Sequence, residues 1–333
     1  MSPLVSILIP AYNAEEWIAD TIRSALEQTW SRKEIIIVDD GSTDRTLSIA
    51  RQFASGSVSV LTQPNQGASV ARNKASSISQ GDYLQWLDAD DLLAPDKIEK
   101  QMQHVSASGS ARTLYSSAWG LFAYRRNKAQ FIATPLWEDL PAAEWLYRKL
   151  KLNLHMQPAT WLVSRQLSAA AGPWDGRLSL DDDGEYFCRV LRASDGVRFV
   201  PEARVYYRSS GFSSLSSVDR SDKKLESLCL SLKLHVACLR SLEDSERTRA
   251  ACVEYLQRWL VCFYPKRLDL AKELEELAAS LGGRLTVPRL PWKYEWMRKT
   301  LGWDVARRAQ VWVPRLRWSL VRSWDKTLFR MGC

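Results

Sequence analysis

The chain has 333 residues, 46% hydrophobic and 25% charged, a globular composition that excludes a disordered or fibrous protein. Its formal net charge of +8 sits in one place: residues 288–333 hold eleven Lys or Arg against three Asp or Glu, and the first 287 residues balance. No apolar run approaches the roughly 20 residues of a spanning helix, and Met1-Ser2-Pro3 opens without a secretory pattern. The six Cys (188, 229, 238, 252, 262, 333) form no C-x-x-C pair, which points to a reducing cytoplasm rather than a disulfide frame or zinc site.

Residues 4–9 read as a buried strand that Pro10-Ala11-Tyr12-Asn13 breaks. Residues 15–28 carry helical spacing through Trp17, Ile18, Ile22, Ala25 and Leu26. Ile35-Ile36-Ile37-Val38 is a second strand, continuously apolar as in a parallel sheet covered on both faces. It ends in Asp39-Asp40-Gly41-Ser42-Thr43-Asp44, where Ser42 or Thr43 is placed to cap a helix through Leu47 and Ile49. Residues 58–61 form a third strand. Asn65-Gln66-Gly67 then turns into a helix carrying Arg72 and Asn73. A fourth strand, Tyr83-Leu84-Gln85-Trp86-Leu87, runs into Asp88-Ala89-Asp90-Asp91. This alternation predicts a doubly wound α/β sheet. Ligands of such sheets bind beyond the carboxyl ends of the strands, where residues 10–13, 39–44 and 88–91 all fall.

Three carboxylates within four residues repel one another unless something positive joins them. A hard divalent cation, Mn2+ or Mg2+, suits such oxygen ligands; the plainer alternative is a polar turn whose carboxylates stay in water. Asp88 and Asp90 are placed to hold a metal together with the two phosphates of a nucleotide, and Asp91 to orient the loop. Asp40 suits a base N–H, and Arg72 suits a phosphate. Neither G-x-x-x-x-G-K nor G-x-G-x-x-G occurs, so diphosphate neutralisation falls to the cation.

Further on, residues 96–105 read as a helix. Residues 111–124 and 130–134 read as strands around Arg125-Arg126-Asn127-Lys128, and Pro141 opens another helix. Pro158 begins a loop feeding a strand, and Arg165 a helix stopped by Gly172-Pro173. Asp181-Asp182-Asp183-Gly184-Glu185 opens a helix. One acid there is ordinarily a cap or dipole partner, which does not require all four. Residues 197–200 and 203–207 read as two sheet-edge strands. His155 is either a core residue or part of an acceptor pocket.

Residues 219–242, 245–263 and 267–281 have the length and spacing of helices. Gln257-Arg258-Trp259 has the wrong spacing for a processive synthase. In the tail Leu316, Leu320, Trp324 and Leu328 recur every four residues, with Arg315, Arg322 and Lys326 on another side. Six of the fifteen Trp lie in residues 288–333. Two readings stand: a basic amphipathic helix on an anionic membrane surface, or a helix packed on the preceding domain. Nucleic acid is not expected, because the rest of the chain is charge-balanced.

Val5-Ser6-Ile7-Leu8-Ile9-Pro10-Ala11-Tyr12-Asn13, Ile36-Ile37-Val38-Asp39-Asp40-Gly41-Ser42-Thr43-Asp44, Asn65-Gln66-Gly67 with Ala71-Arg72-Asn73, and Asp88-Ala89-Asp90-Asp91 stand in this order. As a set they resemble glycosyltransferase family 2 over about residues 4–210. The resemblance implies a GT-A type, mostly parallel Rossmann-like sheet, here followed by a C-terminal helical extension. It divides the chain into a catalytic domain 1–215 (nucleotide-sugar half 1–110, acceptor half 111–215), a helical region 216–287 and a tail 288–333.

It also implies that Pro10, Tyr12, Asn13, Asp40, Arg72, Asp88 and Asp90 bind a nucleotide-sugar donor. Asp40 would read the base, most often uracil, and Tyr12 would line the same pocket. Asp88 would contact ribose or metal, and Asp90 would ligate the metal. Residues 182–189 are similar to the family's E-D-x-E-(L/F)-x-x-R with Asp182 in place of Glu. That puts Asp183 on the catalytic base and Asp182 and Glu185 in support, with Gly184 expected to open the acceptor pocket. The family's Tyr-Arg-x-His-x-x-Ser is interrupted: Tyr207-Arg208-Ser209-Ser210-Gly211-Phe212-Ser213 lacks the His, leaving Arg208 or Ser213 as substitutes.

The implied activity is inverting transfer from a UDP-type sugar to a hydroxyl of a cell-surface or lipid-linked glycan, at the cytoplasmic face of a membrane. A sugar-phosphate nucleotidyltransferase would need a Gly-rich N-terminal loop, which residues 9–13 lack. A non-catalytic nucleotide-sugar or glycan binder on the same fold is the other alternative; intact Asp88, Asp90 and Asp183 stand against it.

Overall fold

A computed structural model describes residues 2–108, 110–209, 221–288 and 291–331; Ser213 lies outside them. β1 (Val5–Ala11), α1 (Ile18–Leu26), β2 (Lys33–Asp39), α2 (Thr46–Arg51), β3 (Val58–Thr62), α3 (Ala68–Ile78) and β4 (Tyr83–Trp86) alternate along the chain. The four strands lie parallel in the order β3-β2-β1-β4. Their continuous apolar runs are explained by burial on both faces. Val5, Ile7 and Ile9 pack with Ile18, Ile22 and Ala25 of α1, while Leu8, Ile36 and Val38 pack with Ala71 and Ala75 of α3.

Then follow β5 (Leu92–Leu93), α4 (Lys97–Ser108), β6 (Thr113–Phe122), β7 (Gln130–Phe131), α5 (Ala142–Leu152), β8 (Val163–Ser164), α6 (Arg165–Ala171), α7 (Asp182–Ala193) and β9 (Gly196–Arg208). β8 joins β4 antiparallel and completes the main sheet, a mixed α/β architecture around a central parallel sheet. A second sheet runs β5-β9-β6-β7.

The two edge strands expected at 197–200 and 203–207 are one strand, and it is not an edge. β9 lies between β5 and β6, parallel to β6, with the register jumping from Ser117↔Val200 to Ala118↔Arg204. Pro201 falls in that jump. It has no N–H for the ladder, so the strand bulges there and resumes. The antiparallel pairing of Leu92 with Tyr206 brings the end of β9 beside the turn at 88–91.

α8 (Asp222–Leu242), α9 (Glu246–Trp259) and α10 (Leu268–Ser280) form a helical layer. Its core joins Leu228, Leu232, Leu239, Leu256 and Leu274 to Leu146 and Leu150 of α5. Cys188, Cys229, Cys238 and Cys252 are buried free thiols that serve as small apolar residues.

In the tail, α11 (Trp292–Leu301) and α12 (Trp303–Arg330) pack on each other. Arg322 and Lys326, expected to face lipid or water, turn to the α/β domain: Arg322 donates to the Tyr124 hydroxyl at 3.2 Å and Lys326 to Glu16 at 2.8 Å. Val321 and Trp324 are exposed, as are Trp292 and Trp296 of α11. Among the described residues no helix is long and apolar enough to cross a membrane.

Leu232 is fully buried where α8 meets the rest of the helical layer. Leu232→Ala is expected to cost about 2–5 kcal/mol of stability, measured by urea denaturation.

Candidate active site

The ends of β1, β2 and β4 meet at one edge of the main sheet. Asn13 leaves β1 with φ of +48°, and its side-chain oxygen accepts the Thr43 N–H at 2.8 Å. Its own N–H donates to the Ser42 hydroxyl at 3.0 Å. This stitch uses the two residues expected to cap α2. Asp44 takes that role instead, its carboxylate accepting the Thr46 N–H at 2.9 Å. Pro10 is buried inside β1, while Tyr12, 41% exposed, and Asn13 offer the surface of this stretch.

Asp40 is buried and already accepts three hydrogen bonds: from Gln63 Nε2 (2.7 Å), the Gln66 N–H (3.0 Å) and the Gly67 N–H (2.8 Å). It anchors the turn that starts α3. A carboxylate has about four acceptor positions, so one remains for a ligand. Gly41 has φ of +72°, and a Cβ there would lie 2.8 Å from the Asn65 nitrogen; only glycine lets the two turns touch.

Arg72 corrects the expectation that it meets a phosphate. Its side chain is buried, and both terminal nitrogens are committed: Nη2 to Asp88 at 2.7 Å and Nη1 to Asp182 at 2.6 Å. The guanidinium lies over the Trp174 ring at 4.4 Å. Trp174 stacks on Tyr186 at 4.1 Å, and Asn73 pins its backbone through two 2.8 Å hydrogen bonds. Burial disfavours the charge, but Asp182 and Asp88 outweigh it and hold Arg72 protonated. Ser69 also donates to Asp182, at 3.0 Å.

Asp183 follows in the first turn of α7, and among the described residues no hydrogen bond holds its carboxylate. Burial pushes its pKa up to about 6; His155 and Arg72 oppose this, while Asp182 and Asp181 add to it. His155 stands at the open mouth of the cleft beside Trp119 and Tyr207, each with ring centroids 6.1 Å away. Crowding by protein lowers its pKa, and Asp183 opposes that shift.

Glu185 is spent on Arg189, with contacts of 2.6 and 2.8 Å, and so stiffens α7 rather than facing the cleft. Gly184 does not open a pocket. A Cβ there would fall 2.3 Å from Asp181 Oδ1 and 3.0 Å from the His235 ring. Its smallness lets α7 pack against α8.

One group escaped the sequence reading. Tyr207 lies near the acidic turn: burial, then Asp91, Asp90, Asp88 and Asp183, all raise its pKa, so the phenol stays protonated and is able to donate. Strand alternation beside β5 was the available signal. Arg208, expected near the acceptor or metal, is a buried brace. Its N–H donates to Asp91 at 2.8 Å and its Nε to the Asp90 carbonyl at 2.7 Å. Burial lowers its pKa, against the pull of Asp20, Asp90 and Asp91. Asp91 is fully buried, and burial together with Asp90 and Asp88 raises its pKa well above the carboxylate range.

The donor set at this turn is all oxygen, which suits Mg2+ or Mn2+. Among the described residues no three acidic, His or Cys groups converge closely enough to hold a cation by themselves. The residues fit a cation that takes one or two carboxylates and completes its shell with substrate phosphates.

Residues 6–167 match the sequence model of the family described as Glycosyl transferase family 2. The chain is 46% identical over 106 residues to the glycosyltransferase TuaG of Bacillus subtilis, provisionally ascribed to teichuronic acid biosynthesis. That stretch is 31% of this chain and 42% of TuaG, so the chain spans less than half of this relative. It is 29% identical over 224 residues to the glycosyltransferase GlyG of Streptococcus pneumoniae, covering 63% of this chain and 73% of GlyG. Its fold is similar to that of S. aureus TarS 1-349, solved in complex with UDP-GlcNAc: TM-score 0.60, 16% identity, 84% of this chain and 92% of that one.

The raised pKa of Asp183 has a stability consequence. Protonation is favoured in the folded state, so this contribution is full below about pH 4 and lost as pH rises through about 6. Asp183→Asn, neutral throughout, is expected to be more stable than the parent at pH 8, with the gain vanishing near pH 4. Thermal denaturation at both pH values reads this; an equal gain at both would mean that Asp183 titrates as an ordinary carboxylate.

Proposed function

The chain carries a glycosyltransferase family 2 domain, and from that premise we propose that it transfers a sugar from a nucleoside-diphosphate donor to a glycan hydroxyl, with Asp183 as the general base. The observation that carries this reading is the double contact of Arg72. One guanidinium holds both Asp88, on the acidic turn, and Asp182, next to Asp183. A base and a set of donor-side carboxylates are thereby fixed across one cleft.

The roles follow from the geometry. Tyr12 offers its exposed ring to the base, and Asp40 shapes that pocket through the 63–67 turn with an acceptor position to spare. Asp90, with Asp88, would hold Mn2+ or Mg2+ against the two phosphates, and the bound cation would neutralise charge on the leaving diphosphate. Asp183 takes the proton of the acceptor hydroxyl. The oxygen forms a bond to the anomeric carbon as the bond to the diphosphate breaks, and the centre inverts. Tyr207, kept protonated, donates to an oxygen in the cleft, and His155 lines the acceptor mouth. Structures of TarS were solved with UDP-GlcNAc, and TuaG is ascribed to an envelope polysaccharide. These favour a UDP-sugar and an envelope or lipid-linked glycan as the first substrates to test. Exposed Trp292, Trp296, Val321 and Trp324 supply an interfacial edge for peripheral contact with an anionic membrane.

With Mn2+ present, release of UDP from a panel of UDP-sugars is expected. Asp183→Asn should lower kcat by about 10²- to 10⁴-fold while UDP affinity stays near the parent's. Undiminished turnover in that variant would remove Asp183 as the base, and turnover indifferent to chelator would remove the metal. In a separate vesicle-sedimentation assay, replacing Trp292 and Trp324 by Ser should reduce binding to anionic vesicles; unchanged binding would dispose of the membrane edge.

A further inference from the structure

α12 reaches the acidic turn through a continuous series of contacts. Asp325 Oδ2 accepts the backbone N–H groups of Tyr124 (2.9 Å) and Arg125 (3.2 Å), and Oδ1 accepts from Arg125 Nε at 2.6 Å. The Asp325 and Arg125 side chains are only 15% and 17% exposed, so this is not a solvent-screened surface pair. Lys326 and the Tyr124 hydroxyl both donate to Glu16, at 2.8 and 3.3 Å. Arg322 donates to the same hydroxyl. The Tyr124 ring meets Trp17 at 5.3 Å, and Trp17 in turn meets the Arg208 guanidinium at 4.3 Å. On its other flank Arg208 lies over Phe122 at 4.5 Å. Aromatic rings at both flanks confine the guanidinium plane, and its donors then aim at the Asp90 carbonyl (2.7 Å) and the Ala123 carbonyl (3.2 Å).

We infer that α12 and Arg208 are positioning groups for the acidic turn: α12, docked through Asp325, fixes Tyr124 and Trp17, which hold the Arg208 fork against the Asp90 carbonyl while the Arg208 N–H holds Asp91. Only the statement that the turn receives a metal and a nucleotide rests on the proposed function; the mechanical coupling does not. The competing view is a helix that merely covers the surface around Tyr124. In that view its release would loosen the tail and leave the turn unchanged.

Hydrogen exchange on the full chain separates the two. Asp325→Ala should speed exchange in peptides covering residues 87–93 and 204–209, where the Asp91 and Arg208 amides lie, and leave β1 to β3 protected. Asp325→Asn keeps one carbonyl oxygen for the Tyr124 N–H and should fall between Ala and the parent. Affinity for UDP with Mn2+ should fall about three- to thirtyfold in the Ala variant. Glu254→Ala, which breaks the remote Lys151 contact, should change neither reading. Faster exchange confined to the tail, with 87–93 and 204–209 unchanged, would overturn the inference. A parent chain that binds no UDP would withdraw the nucleotide reading, and the exchange result would still decide this one.

Discussion

One buried guanidinium determines how the two halves of the cleft face each other. Arg72 comes from α3, Asp88 from the end of β4 and Asp182 from the start of α7, and the cation touches both acids within 2.7 Å. Neither contact is optional once the arginine is buried. Losing either acid would leave the buried guanidinium paired with only one carboxylate and less fully compensated. The site has also prepaid the orientation of this cation: Trp174 lies beneath it, held by Tyr186 and Asn73. The position of α7 relative to the main sheet, and hence of Asp183, follows from this one arrangement.

The crowding of acids is then divided between internal cations. Arg72 serves Asp88 in front, and Arg208 braces Asp90 and Asp91 from behind. Burial raises the pKa of Asp91 and Asp183 alike, but with different consequences. Asp91 is enclosed and structural. Asp183 opens on the cleft with a pKa near the working range of a general base, where proton affinity and availability are best matched. Tyr207, surrounded by the same carboxylates, remains a donor. A single acidic neighbourhood thus holds an enclosed structural carboxyl, a cleft-facing carboxyl and a protonated phenol.

The legible parts of the fold were those with a local cause. Ile35 to Val38 reads as a doubly covered strand because four consecutive apolar side chains have no other use. The acids at 88–91 and 181–185 announce themselves by density. What was hidden depends on distant partners. Arg72 looks like a phosphate ligand until Asp182, far along the chain, is seen to claim it. Gly184 looks like an opening until Asp181 and His235 are seen to fill the space a side chain would need. β9 looks like two edge strands because Pro201 interrupts the pattern, while its neighbours β5 and β6 come from earlier, separate segments. Arg322 and Lys326 look solvent-facing because helical spacing separates faces without saying which one docks.

The first turn of α7, which carries Asp183, is also held from the side away from Arg72. Asp181 begins α7 and accepts the Ser231 hydroxyl of α8 at 3.1 Å, with His235 Nδ1 3.6 Å away. Burial holds His235 neutral, so its ring meets the Tyr255 hydroxyl of α9 at 2.8 Å as a hydrogen-bonding group rather than a charge. The N-terminus of α7 is therefore pinned in front by the Arg72 cation of α3 and behind by Ser231 and His235 of α8. The helical extension thus belongs to the architecture of the cleft: it closes the back of the helix that carries Asp183.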